Sequence, residues 1–158
     1  MMMRDNSHTE MIQDFAKRTL ENYKNYYGRF DVTQLINSMI GLLVFPKEGF
    51  EKLNITDDMV DDNILSKLLT GIQKNTYAEK NTLKNIVKHM RNAVSHSHVV
   101  FCGEKPPVNS DPIEIKSVKF KDADTRKSPK PEFEMEISID TLKEFLISFA
   151  ECIINLSA

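Results

Sequence analysis

"FEMEISI", residues 133–139, alternates apolar and polar side chains without a break, with Phe133, Met135, Ile137 and Ile139 on one face and Glu134, Glu136 and Ser138 on the other. A period of two marks a half-buried strand, because successive side chains of an extended chain point to opposite faces. A shorter alternation, Ile113-Glu114-Ile115, lies before it across the polar connection "KDADTRKSPKP" at 121–131, and the pair predicts a β-hairpin over about 113–139. Glu132, Glu134 and Glu136 would then face Lys116, Lys119 and Lys121, each exposed pair contributing tenths of a kcal/mol. The other apolar patterns have a helical period. The fold class expected is therefore mainly α, an up-and-down bundle of four to five helices with one β-hairpin inserted before the last helix.

Working outward, the helix after the hairpin is capped by Asp140 and carries Leu142, Phe145, Leu146, Phe149 and Ile153 on one side. Before the hairpin, prolines and small polar residues mark 103–112 as loop. Further back, Thr76-x-x-Glu79 has the form of a capping box, followed by a stripe of Leu83, Ile86, Val87, Met90 and Val94. A short helix is expected from about Ile64 to Ile72, and "PKEGFEKLNITDD" at 46–58 reads as loop. Pro46 ends a second helix, capped by Asp31, whose Leu35, Ile36, Met39, Ile40, Leu42 and Leu43 leave little polar face. The first helix opens with Ser7-x-x-Glu10, carries Ile12, Ala16, Leu20, Tyr23 and Tyr27, and closes near Gly28. No internal repeat is visible, and 1–158 reads as one domain.

With 41% hydrophobic and 28% charged residues the composition is that of a globular protein rather than a disordered one. A formal net charge of -2 gives no global attraction to polyanions, so nucleic-acid binding would need a local basic patch. Cys102 and Cys152 match no metal or redox spacing and read as reduced thiols in the cytoplasm. The polar run Asp5 to Thr9 stands where an export signal would need an apolar stretch, and the Met39 to Phe45 block is too short to span a bilayer. The expectation is a soluble cytoplasmic protein with no membrane partner.

Chemistry concentrates at "RNAVSH", residues 91–96, at the end of the helix with the Leu83 to Val94 stripe. At roughly 100° per residue, His89, Asn92 and His96 share a face opposite that stripe and point away from their own core, while Arg91 lies about 140° from His96. A single helix does not bring Arg91 and His96 to one point, whereas two copies about a two-fold axis would gather both arginines and both histidines in one cleft. Such a cleft suits RNA cleavage. Histidine can take the proton of a ribose 2′-OH or give one to the leaving 5′ oxygen, and arginine can clamp the phosphate. Asn92 can orient the ring or the phosphate.

Arg91-Asn92-Ala93-Val94-Ser95-His96 resembles the motif of the HEPN superfamily: an arginine, a polar residue beside it, and a histidine after four to six intervening residues. The stretch "TQLINSMIGLLVFPKE" at 33–48 is similar to the second helix and proline exit of a plasmid- and bacteria-associated branch. The resemblance implies a helical, commonly dimeric protein and a metal-independent endoribonuclease of a toxin-antitoxin or defence system, using no cofactor. Arg91, Asn92 and His96 would be catalytic, with RNA, a second copy of the chain and an antitoxin protein as partners. Related toxins extend the motif with a tyrosine, the site of adenylylation, two residues after the histidine; here that position is His98, so that regulation is not expected.

Lys84, Lys88, Ser95 and His98 are the candidate RNA contacts around the motif. Lys80, Lys84 and Lys88 repeat every four residues, which is a basic track toward an active motif or simply a solvated face. His89 reads as solvated or at a dimer contact. A metal site from His89, His96 and His98 lacks a carboxylate at a familiar spacing, so no metal is expected. Tyr23, Tyr26 and Tyr27 suit packing better than base stacking, and the 119–130 segment, which mixes acids with its cations, reads as a mobile hairpin tip, with RNA or an antitoxin as the alternative occupant. The alternative reading is a non-catalytic module that binds RNA, a nucleotide or a partner protein through the same cleft. The plainest reading leaves "RNAVSH" as the polar end of a packed helix.

Overall fold

A computed structural model describes residues 6–28, 31–44, 53–104 and 114–156. In chain order these form α1 (Asn6–Lys24), α2 (Asp31–Leu43), a 3-10 turn (Asp57–Met59), α3 (Asp62–Gly71), β1 (Ile72–Asn75), α4 (Leu83–Ser95), β2 (Val99–Glu104), β3 (Glu114–Ala123), β4 (Glu132–Ser138) and α5 (Ile139–Ile154). Pro46 and Ile113, assigned to a helix exit and a strand, lie outside the described residues.

The helical stripes converge on one core. Ile12, Ala16 and Leu20 of α1, Leu35, Met39 and Leu42 of α2, and Leu142, Phe145 and Phe149 of α5 are buried together with Leu83, Ile86, Val87 and Met90 of α4. Val118 and Phe120 of β3 and Phe133, Met135 and Ile137 of β4 close this core from the other side. These are the inward positions of two alternating strands, so the hairpin buries a continuous apolar face.

The expectation of a mainly α bundle with one hairpin is overturned. The described residues form an α+β fold in which four antiparallel strands stand in the order β1-β4-β3-β2. The β3–β4 hairpin is present, with Val118 opposite Ile137, Phe120 opposite Met135 and Asp122 opposite Phe133. β3 runs on through Ala123 and takes Lys121, Asp122 and Ala123 out of the expected connection. The two added strands explain the difference. β1 is a four-residue edge strand, Ile72-Gln-Lys-Asn75, too short and polar to show a period. β2 is a half-exposed run, Val99-Val100-Phe101-Cys102, which pairs with β3 instead of trailing from the helix as loop.

Two caps move accordingly. Thr76 and Glu79 do not open α4; Thr76 exchanges hydrogen bonds with Glu132 at the sheet edge, its N–H donating to the Glu132 carbonyl at 2.9 Å. Thr82 is the N-cap, accepting the Asn85 N–H at 3.3 Å, and the Asp57 carboxylate takes the Leu83 N–H at 2.8 Å. Ser138, not Asp140, caps α5 by accepting the Thr141 N–H at 3.1 Å. The outer hairpin face pairs in shifted partners: Lys119 meets Glu134 at 3.4 Å, Glu132 meets Lys74 and Lys130, and Lys116 turns to Glu114. Where α3 passes into β1, a Cβ on Gly71 would fall 2.6 Å from the Glu136 carbonyl oxygen, so this close approach requires glycine.

Candidate functional site

The helix α4 presents two buried faces. Its apolar stripe meets the helical core, and the face with His89 and Asn92 is covered by the sheet. His89 is 0% exposed, which corrects the expectation that it points into solvent or to a partner. The helical geometry is as expected; the cover comes from β3 and the turn at 76–82.

His89 Nδ1 lies 2.7 Å from Asp122 Oδ2, and its Nε2 meets Glu79 Oε1. The ring stacks on Phe133 at a centroid distance of 4.3 Å and tilts against Tyr77 at 4.6 Å. Asn92 donates its NH₂ to the same Asp122 oxygen at 3.1 Å. Two contacts between ring nitrogens and carboxyl oxygens need two protons among the three groups, carried either by an imidazolium or by a neutral ring beside a protonated carboxyl. The cluster therefore keeps one net negative charge in both arrangements. Burial pushes the Asp122 carboxyl up, but hydrogen bonds from His89 and Asn92 and the His89 charge outweigh it, so the group is held below the ordinary carboxylate value.

α4 ends at His96 in a Schellman cap. The Ser97 N–H donates to the Val94 carbonyl at 3.2 Å and the His98 N–H to the Ala93 carbonyl at 2.8 Å. Ser97 takes φ 58°, the left-handed conformation usually left to glycine. The cap turns the chain into β2 and leaves Ser95, His96 and His98 exposed, with the rings of His96 and His98 6.2 Å apart.

Arg91 and His96 do not share a recess within the chain. His96 and Asn92 line a recess of about 480 Å³ with Tyr77, Lys88, Asp122 and Arg126. Arg91 lines another of about 360 Å³ with Leu53, Ile55, Lys84 and Lys88, and Lys88 borders both. His98 opens onto a third recess with Lys121 and Glu134. Arg126, at the turn between β3 and β4, is held by a forked bond to Asp124, Nε to Oδ1 at 2.9 Å and Nη2 to Oδ2 at 3.2 Å. That bond keeps Asp124 below its ordinary carboxylate value. Tyr77 is pushed up to about 12 by burial first and then by the carboxylates of Asp122, Asp124 and Glu79.

Sequence reasoning missed Glu79, Asp122, Tyr77 and Arg126. One signal was present: Val118, Phe120 and Asp122 alternate into the core, so an acid in the inward register called for a buried donor. Tyr23 packs half-buried against the core, whereas Tyr27 is 92% exposed. Among the described residues no group of three or more His, Cys, Asp or Glu is placed to hold a metal ion, and no helix is long and apolar enough to cross a membrane.

Comparison with curated proteins and with solved structures returns no match. A protein-family model described as HEPN pEK499 p136 matches residues 2–157, which takes in the helices, the sheet and the Arg91 to His96 motif alike. HEPN membership supports a nuclease or RNA-related module in general. On this match the chain belongs to the HEPN superfamily, in its plasmid-associated HEPN pEK499 p136 family.

Proposed function

We propose that this protein is a homodimeric endoribonuclease that cleaves single-stranded RNA without a metal, acting as a toxin or defence enzyme. The observation that carries the reading is the placing of His96 and Arg91 at one exposed helix end, in two recesses joined by Lys88. An apolar face beside the cap, formed by Ile36, Met39, Ile40, Val94, Val99 and Phe101, is the surface a second copy would cover. Phe101 is 46% exposed there. Packing two α4 ends about a two-fold axis brings Arg91 of one copy toward His96 of the other.

In that cleft a neutral His96 imidazole takes the 2′-OH proton, the 2′ oxygen attacks phosphorus, and the bond from phosphorus to the 5′ oxygen breaks. The imidazolium so formed on that His96 gives the proton to the leaving 5′ oxygen. Arg91 binds the phosphate and the charge that builds on it. The products are a 2′,3′-cyclic phosphate and a 5′-hydroxyl. Lys84, Lys88, Ser95 and His98 contact the RNA around the site. General acid-base catalysis supplies about 10²- to 10⁴-fold per group, so both protons must be handled for a useful rate.

The test is incubation of single-stranded RNA with the purified protein in excess EDTA, beside His96→Ala, with product ends identified. Cleavage by the wild type alone, leaving a cyclic phosphate, is the expected result; cleavage that survives in the variant overturns it. A second reading, a non-catalytic module that binds RNA, a nucleotide or a partner protein, is favoured by the separation of Arg91 from His96 within one chain. RNA binding without turnover by a folded dimer would select it.

A further inference from the structure

The two recesses along α4 differ in charge, and that difference sorts the parts of a nucleotide. Around Arg91 the described lining residues include Lys84, Lys88 and Arg91 and no acid. Around His96 it carries Asp122 and Asp124 as well as Lys88 and Arg126, and the Arg126 charge is already committed to Asp124. A phosphate is attracted to the first and repelled by the carboxylates of the second. The second is about 480 Å³, within the roughly 300–1,000 Å³ typical of small-ligand clefts.

Its walls have the parts that a base needs. The Arg126 side chain is 89% exposed, and its forked bond to Asp124 fixes a planar guanidinium at the rim, which is a stacking surface for a base. Asp122 is 8% exposed and is held from behind. Its Oδ2 accepts both His89 and Asn92 and the Ala123 N–H also bonds the carboxylate, whose remaining lone-pair capacity can take a donor from outside. An acceptor so fixed at the edge of the recess favours the exocyclic amino group of adenine, cytosine or guanine, whereas uracil offers only its ring N3–H, flanked by two carbonyl oxygens that the carboxylate repels.

We propose that the recess between Tyr77, Asn92, Asp122 and Arg126 is a nucleobase pocket that takes an amino-bearing base of the RNA, stacked on Arg126, while the adjoining phosphate lies on Lys88 and Arg91. The inference rests on the RNA-cleaving reading for its substrate, but its test does not need cleavage. The turn between β3 and β4 thus becomes a specificity element beside His96.

The experiment titrates the full protein with adenosine, cytidine, guanosine and uridine 3′-monophosphates, with inorganic phosphate, and with a short mixed-sequence RNA, following backbone amide NMR shifts. The three amino-bearing nucleotides should shift Tyr77, Asn92, Asp124 and Arg126 and bind about tenfold more tightly than the uridine nucleotide, the equivalent of one hydrogen bond to a charged acceptor. Arg126→Ala and Arg126→Lys should both weaken them about tenfold, because lysine restores the charge without the stacking plane. The RNA should bind more tightly than any mononucleotide and also shift Lys84 and Arg91. Equal binding of all four nucleotides, binding of phosphate alone at the same residues, or full retention by Arg126→Lys would overturn the proposal. Tighter binding of a mononucleotide than of RNA would overturn it in favour of a free nucleotide ligand. Base-selective binding without RNA cleavage would leave the pocket standing and remove only the nuclease reading.

Discussion

Asp122 Oδ2 is the single acceptor for two residues of α4, His89 Nδ1 at 2.7 Å and Asn92 Nδ2 at 3.1 Å, so one oxygen of the sheet fixes two successive turns of the motif-bearing helix. Asp122→Ala leaves a buried ring and amide without their partner. A loss of about 3 kcal/mol is expected for removing one member of such a buried pair, or roughly 6–12 °C in the melting temperature of a domain this size. Thermal melts of the two proteins test this. A fall of under about 1 kcal/mol would place these bonds in water-accessible surroundings instead.

The same carboxylate sets an acid limit. Its folded-state value lies below the ordinary 3.8, so its ionisation adds stability that is fully present above that pH and is lost as pH falls through the folded value. The melting difference between wild type and Asp122→Asn should be constant near neutrality and shrink below pH 3.8. Melting curves that stay parallel through the acid range would show that Asp122 does not carry this dependence.

Tyr77 gives the opposite limit. Its phenol is raised from 10.0 to about 12, because burial and three nearby carboxylates disfavour the phenolate. A group raised in this way keeps its contribution below pH 10 and loses it as pH rises toward 12. Stability should fall over this window, and less steeply in Tyr77→Phe. An ultraviolet titration in which that variant lacks no late-ionising phenol would sink the assignment.

The helix stripes and the inward faces of β3 and β4 were legible because each spans enough residues to show its period. Leu83, Ile86, Val87 and Met90 are buried as read, and so are Phe133, Met135 and Ile137. β1 and β2 were not legible, since Gln73-Lys74-Asn75 lies on a polar edge and Val99-Val100-Phe101 has no alternation. That omission cost the site its inner layer. Without a sheet over α4, His89 reads as a surface residue and Glu79 as a helix cap, although their contacts join residues 10 and 33 positions apart. The Arg91–Asn92–His96 pattern was legible through its resemblance to the HEPN motif, but the carboxylate that holds Asn92 belongs to tertiary structure.

Ser97 occupies the left-handed position of the cap that follows His96, where glycine has no Cβ to crowd the carbonyl. Ser97→Gly should stabilise the protein by about 1 kcal/mol, partly offset by the greater freedom of glycine in the unfolded chain. Denaturant unfolding at unchanged slope measures it. A destabilisation of similar size would mean that the serine side chain makes a contact worth more than the relief of strain.

Separate recesses for Arg91 and His96 give the dimer reading its sharpest test. Arg91→Ala and His96→Ala should each be inactive as pure dimers, and each should melt close to wild type, because Arg91 is only half-buried and His96 is exposed. If each site joins Arg91 of one copy to His96 of the other, mixing the two variants and letting subunits exchange creates heterodimers with one intact site and one doubly damaged site. Random exchange makes half of the dimers mixed, and half of the sites in those are whole, so about a quarter of wild-type activity should return. If both residues of a site came from one chain, each site in the mixed dimer would lack one of them and no activity would return. A Phe101→Glu change in the apolar face should abolish this recovery together with the dimer, measured by sedimentation. Recovery by a protein that sediments as a monomer would refute the shared cleft.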